Sequence, residues 1–228
     1  AGTVVSAVTN DEVQLYFDRN IESLKAVIAC AEKSAKIRKA EEKANKSNKP
    51  KDIPDGVYLI YNDRHYEPFS GNNSKKEVKY IGLKHKDVVF AISLKDNENV
   101  QLLDDDSKGE QKEKVYYSRE CDALFDFDGR KNTERLVSRN PKLKSLLDND
   151  EYIPSLGQLN LMAHYMEELN KAFTYVSGSL LSSAWYWSSA EYSQYYAWFV
   201  HFSSGNAVSY NKYNSYRVRA VAAFTFTL

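Results

Sequence analysis

Four histidines, His65, His85, His164 and His201, are the side chains of this chain best suited to acid–base work near neutral pH. None of them sits in a recognisable motif. His164 falls beside the apolar face of a helical stretch and reads as a packed or surface histidine, while His201 lies among aromatic and small polar residues and reads as a contact residue. A serine nucleophile needs a sharp turn flanked by glycines, and neither Ser155-Leu156-Gly157 nor Ser204-Gly205 provides one. No glycine-rich loop is present to cradle a phosphate. Asp104-Asp105-Asp106 suggests calcium, but three consecutive Asp without the alternating Asn/Asp/Gly spacing of a loop site read as a solvated loop. Cys30 and Cys121 lie far apart in dissimilar surroundings and form neither a disulfide framework nor a zinc motif. With no nucleophile beside a base, the expectation is a protein that is not an enzyme and uses no metal or cofactor.

The chemistry that the sequence does offer is recognition. Trp185 to Tyr216 holds all 3 Trp and 7 of the 17 Tyr, yet its only charged residues are Glu191 and Lys212. Tyr gives large rigid contact area and Ser and Asn give adaptable hydrogen bonds, a mixture that paratopes use. A hydrolase of surface polysaccharide would need a carboxylate pair beside these rings, and Glu191 is the one acidic residue there. Trp198 to Ser203 alternates, with large apolar residues at even positions and mixed residues at odd ones, as in a half-buried strand. The expectation is that Trp187, Trp198, Val200 and Phe202 are buried while Phe199, His201 and Ser203 are exposed. Replacing those three exposed residues together should then change stability little. Tyr and Trp are also strong strand formers, so an ordinary sheet is the plain alternative.

Charge and hydropathy narrow the partners. The 31 basic and 31 acidic residues cancel, which removes the electrostatic footprint of a general nucleic-acid binder. No apolar run is long enough to span a bilayer, and the first residues lack a basic start followed by an apolar core. No membrane span and no export signal are therefore expected in this stretch.

The elements that must position the aromatic segment follow from periodicity. Residues 11 to 46 carry a helical pattern capped by Thr9 or Asn10, which turns into a solvated Lys/Glu/Ala stretch and a linker ended by Pro50 and Pro54. Its apolar positions do not persist through the heptads a coiled coil requires. This gives an N-terminal helical extension over 1–50 and one domain over 51–228. Two short strands turned at Asn62-Asp63 are predicted in GVYLIYNDRHYEPF, which opens at Gly56, and further strands at Val78 to Leu83, at Val88 to Leu94 and at Val100 to Leu103. Short helices are predicted from Asn132, with Asn132 or Thr133 as cap, and from Pro141 to Leu147. A long helix is predicted from Ser155 to about Val176, and Arg217 to Phe224 reads as one closing strand. The fold class is α+β.

The ordered elements SLGQLNLM, WYWSSAEYS, YAWFVHFSSG and YRVRAVAAF resemble the C-terminal half of C-type-lectin-like proteins, especially the variable proteins of diversity-generating retroelements in gut Bacteroidetes and their phages. The resemblance covers about residues 55 to 224. It implies a C-type-lectin-like fold in which small mixed sheets and two main helices hold a solvent-facing platform altered by adenine-directed mutagenesis. Trp187, Ser188 and Ser189 match the framework that opens the platform, and Trp198, Gly205, Arg217 and Val218 match the framework that holds it. Tyr192, Gln194, Tyr195, Tyr196, Phe199, His201, Ser203, Asn206, Ser209, Tyr210, Asn211, Tyr213 and Asn214 fall between those landmarks, where the diversified, ligand-binding residues lie. Asn codons altered at adenine readily yield Ser, Tyr, His or Phe, which are largely the residues present.

What the resemblance implies for function is receptor recognition on a phage particle or bacterial surface, with a macromolecular ligand, protein or cell-surface glycan. The alternative is a structural or assembly protein that packs the same face against another chain. Departures from neighbouring families remove other activities. Glu67-Pro68-Phe69 lacks the amide oxygen of a calcium-dependent sugar site, and no thiol follows Cys121, as a formylglycine-generating enzyme would need.

Overall fold

The computed structural model describes residues 53–107, 113–148 and 150–226. The predicted N-terminal extension, with its Thr9 or Asn10 cap, lies outside the described residues. Those described form an α+β arrangement of two sheets and a few short helices. Strands β1 (Gly56–Tyr61), β2 (Tyr66–Pro68), β3 (Val78–His85), β4 (Val88–Ser93), β6 (Glu151–Tyr152) and β11 (Val221–Ala223) form the first sheet, in the order β2-β1-β3-β4-β11-β6. Strands β5 (Asn97–Gln101), β7 (Trp185–Glu191), β8 (Tyr196–His201), β9 (Asn206–Asn211) and β10 (Ser215–Val218) form the second, in the order β5-β10-β7-β8-β9. All paired strands are antiparallel except β7 and β10, which meet in parallel at Tyr186 and Arg217.

Two helices pack between the sheets. The predicted helix from Ser155 is present and starts as expected: Ser155 Oγ accepts from Gln158 N while the Gln158 side chain accepts from Ser155 N, a reciprocal cap that satisfies two orphan donors. It does not run unbroken to Val176. It ends at His164 and a second helix takes over at Met166, giving α3 (Leu156–His164) and α4 (Met166–Tyr175). The break contains neither proline nor glycine, and it brings Tyr165 OH to 2.9 Å from His85 Nδ1 on β3. Leu156, Leu159, Met162, Leu169 and Phe173 bury against Leu59, Ile81, Leu83, Phe90 and Ile92 of the first sheet and against Trp198 and Val200 of β8 and Phe202 just after it, forming the main core.

A second core lies on the opposite face of the second sheet. There Trp187, Ala197, Phe199, Val100 and Val218 meet Leu136 and Leu143 from helix α2 (Gly129–Arg139) and the 3-10 turn Pro141–Leu146; a short helix α1 (Glu120–Leu124) precedes them. The cap of α2 is Asp128, whose side chain accepts from Lys131 N, and not Asn132 or Thr133 as the sequence suggests. Those two are buried inside the helix. Thr133 Oγ1 accepts from Ile153 N at 2.9 Å and donates to Gly129 O at 2.7 Å, and Asn132 bonds Asp126. Gly129 must start α2 because a Cβ there would lie 2.8 Å from Ser155 N and 2.9 Å from Ile153 O.

The closing strand is also divided. Val218 belongs to the second sheet and Val221 to the first, so the chain changes sheets at Arg219-Ala220. Arg219 is fully buried at this crossing; its guanidinium donates to Ser93 O at 3.0 Å and Ser179 O at 2.8 Å and lies over the Phe173 ring. A VRAVAA alternation suits either sheet, which is why the sequence does not reveal the switch.

Candidate recognition surface

The framework around β7 is fixed by buried polar contacts. Trp187 Nε1 donates to Val100 O at 3.0 Å, Trp198 Nε1 donates to Tyr117 O at 2.8 Å, and Ser188 Oγ donates to Trp198 O at 2.9 Å. Ser189 donates to Pro154 O from both its N and its Oγ, at 2.8 and 3.1 Å. These side chains occupy the stretch where the β7–β8 register shifts between Trp187 and Glu191. A bulge leaves ladder groups unpaired, and the two serines take their place. Arg217 Nη1 reaches Asp96 at 2.7 Å and Glu98 at 2.6 Å, tying β10 to β5.

On the face of the second sheet that carries Phe199, a connected set of rings runs from the second core to solvent. Trp185 stacks on Phe199 with centroids 4.2 Å apart, and Tyr216 lies 4.9 Å and Tyr210 5.7 Å from Phe199. His201 meets Trp185 edge-on at 5.0 Å. Phe199 is buried at 3 % exposure beneath this set, whereas Val208 and Tyr210 on β9 are each 44 % exposed. Trp185, His201 and Tyr216 are half-buried between them. The register puts these residues together, pairing Phe199 with Val208, Ala197 with Tyr210 and His201 with Asn206. The result is an aromatic ledge anchored at one margin in the core and open at the other.

One end of the ledge is held by charge. Glu191 and Lys212, the only charged residues of the aromatic segment, are both buried and form an ion pair. Arg139 stands 3.9 Å from the same Glu191 oxygen. Lys212 Nζ also donates to Gln194 O at 3.0 Å, and Arg139 Nη1 donates to Gln194 O at 2.5 Å. Burial pulls the Lys212 ammonium down to about 8, against the opposing pull of Glu191. The cluster joins the β7–β8 and β9–β10 turns, whose backbones also meet where Lys212 N donates to Tyr195 O at 2.9 Å.

The residues expected to bind ligand do not all share one face. Asn206 and Tyr210 lie on the ledge and are exposed, and His201 is half-buried on it. Phe199 is on the ledge but buried more deeply than Trp198, at 3 % against 7 %, which overturns its expected exposure. Strict alternation assumed one covered face, but the second core covers the other face too. Trp187, Trp198, Val200 and Phe202 are buried as expected, with Trp187 on the Phe199 side. Tyr196, Ser209 and Asn211 point to the opposite face by strand alternation. Tyr192, Gln194, Tyr195, Tyr213 and Asn214 occupy the two turns above the Glu191–Lys212 pair, all exposed, and exposed Ser203 lies in the β8–β9 turn at the far end. Trp185, Val208 and Tyr216 complete the ledge and are missing from the expected set. The alternation of Asn206-Ala207-Val208-Ser209-Tyr210, laid beside β8, carries the signal for Val208.

Three of the four histidines, His85, His164 and His201, gather at the far end. His85 and His164 line a shallow cleft with Asn160, Ser203 and Ser204, and His201 Nδ1 lies 3.1 Å from Ser203 Oγ. That Ser–His contact is exposed and local to a turn, and among the described residues no carboxylate orients the imidazole. Asp104 and Asp106 both pair with Lys142, at 2.9 and 2.7 Å. Among the described residues no group of three or more His, Cys, Asp or Glu could hold a metal, and no helix is long and apolar enough to cross a membrane.

No protein-family model matches the chain, and none of the curated proteins matches it. Among solved structures it is similar to a fimbrial protein from Bacteroides ovatus, at 19% identity and a TM-score of 0.54 over 75% of this chain and 49% of that one. The likeness is one of fold, and this chain spans about half the length of that fimbrial protein.

Proposed function

We propose that this chain is a recognition module of the C-type-lectin-like kind, a variable protein that displays its aromatic ledge to a macromolecular ligand on a phage or bacterial surface. The observation that carries this reading is the ledge itself: Val208 and Tyr210 are exposed beside Trp185 and Tyr216, on a framework whose polar groups are satisfied in the core. Binding sites concentrate exposed aromatics over rigid support. The exposed turn residues Tyr192, Tyr195 and Tyr213 form the natural rim at one end. The ligand is a protein or a cell-surface glycan, since both use such rings. A second reading, a surface assembly subunit, is favoured by the fimbrial neighbour.

The test uses labelled protein on intact Bacteroides cells and on a printed array of bacterial surface glycans. The Val208→Ser, Tyr210→Ser double variant should lose roughly tenfold or more of the bound signal, as loss of interface anchors does, while its melting temperature falls by only a few degrees. Full binding by that variant would sink the ledge as the contact surface. The diversification claim has its own check: flanking DNA holding a reverse transcriptase gene and a near-copy of the codons for 185–224 that differs at adenines.

A further inference from the structure

Each sheet ends in two edge strands, and an exposed edge is a template for pairing unless something blunts it. Three of the four edges here are blunted. β2 is three residues long and ends in Pro68, and β6 has only two residues. β5 carries Glu98, has Asn99 at φ 56°, and pairs with β10 across a register shift. β9 differs on every count. It has six residues, Asn206–Asn211, without proline or charge, and its register with β8 is unbroken.

The hydrogen-bond phase shows what this edge offers. Phe202 N donates to Ala184 O on the β7 side and Lys212 N donates to Tyr195 O across the β8–β9 ladder. In an antiparallel pair hydrogen-bonded and non-hydrogen-bonded positions alternate. Asn206, Val208 and Tyr210 therefore bond inward to β8, and Ala207 and Ser209 turn their N–H and C=O groups outward. Among the described residues β9 pairs with β8 alone, and no other backbone group meets these positions.

We propose that β9 pairs with β9 of a second copy, antiparallel about a two-fold axis through Val208. This register sets Ala207 against Ser209 of the second copy, so each such pair exchanges N–H···O=C bonds in both directions. It places Val208 against Val208 and Tyr210 against Asn206 on the ledge face. The small Ala207 and Ser209 side chains meet on the other face, where bulk would splay the strands. Charge also favours a second copy: the strand is uncharged, and the chain's 31 basic and 31 acidic residues cancel, so two copies approach without net repulsion. A two-fold, self-complementary contact closes on itself and makes a dimer, not a filament. The two ledges then lie side by side on one continuous sheet face. The pairing does not depend on what the ledge binds.

Sedimentation velocity of the full chain tests this between about 5 and 500 µM, the range in which a small interface self-associates. The weight-average mass should rise about twofold as the dimer forms. Ser209→Pro removes only an outward N–H, so it should leave the β8 ladder and the melting temperature intact while keeping the protein monomeric. Should that variant fold poorly, hydrogen exchange on the unaltered protein decides the matter: amides of Ala207 and Ser209 should gain protection with concentration while that of Val208 stays constant. A monomer throughout the range overturns the proposal. So does a dimer that persists in folded Ser209→Pro, or protection at 207 and 209 that ignores concentration.

Discussion

Strands β7 and β9 flank the same strand, β8, and have been put to opposite uses. β7 is buried from Tyr186 to Glu191, including the polar Ser188, Ser189 and Glu191, while β9 alternates between exposed and half-buried along its whole length. Both carry Ser, Tyr and Ala. What separates them is covering: β7 lies between two cores and must satisfy every polar group internally, and β9 has water on one side. Composition marks this segment as unusual, but position in the sheet decides which residues are structure and which are surface.

The sharpest way to break that contrast is to attack the charge at the end of β7. Glu191→Gln keeps the shape but leaves the buried Lys212 ammonium beside Arg139 with no carboxylate. A buried pair broken on one side typically costs about 3–5 kcal/mol, which in a domain of this size lowers the melting temperature on the order of 10 °C. The paired change Glu191→Leu, Lys212→Met should recover only part of it, since it removes the stranded Lys212 charge but leaves the buried Arg139 guanidinium without its carboxylate. A Glu191→Gln variant that melts with the parent would place the pair in solvent and make β7 as open as β9.

Phe199 tests where the boundary between the two strands runs. Its side chain sits under Trp185, Tyr210 and Tyr216 at the centre of the ledge. Phe199→Ala should cost roughly 3 kcal/mol by thermal melt, the low end for emptying a buried aromatic site because the half-exposed neighbours can settle into the space. The joint replacement of Phe199, His201 and Ser203, which alternation alone would make harmless, is thereby expected to be destabilising, nearly all of it through Phe199. A loss below about 0.5 kcal/mol would return Phe199 to the surface set.

How much was legible follows from these residues. The α+β class and most strand positions come directly from period-two alternation and turn residues, and the start of the helix from a Ser set immediately before its apolar face. The division of the closing strand at Arg219 was not legible, because it depends on which sheet lies next to each half. For the same reason Phe199 was misplaced. Alternation tells which residues share a face, but it is silent on whether α2 and the 3-10 turn cover that face. Glu191 and Lys212 stood out as lone charges in an aromatic segment, and only the approach of the two turns makes them partners. Of the expected binding residues, those in turns are exposed, where no packing rule competes with their composition.

The smallest expected effect is the one that would most sharpen the comparison. Val208 and Tyr210 are the exposed edge of the same ring network that buries Phe199, so Val208→Ser with Tyr210→Ser removes apolar area that water already reaches. Exposed substitutions lie within about 0.5 kcal/mol each, and Ser at two strand positions costs a few tenths more through propensity. The combined loss should stay within about 1 kcal/mol, a shift of a few degrees, measured below the concentrations at which β9 would self-pair. If the double variant instead fell by as much as Phe199→Ala, Val208 and Tyr210 would belong to the fold's own support. The ledge would then have no part free to vary, and a surface that cannot change without unfolding the protein could not serve as a variable recognition face.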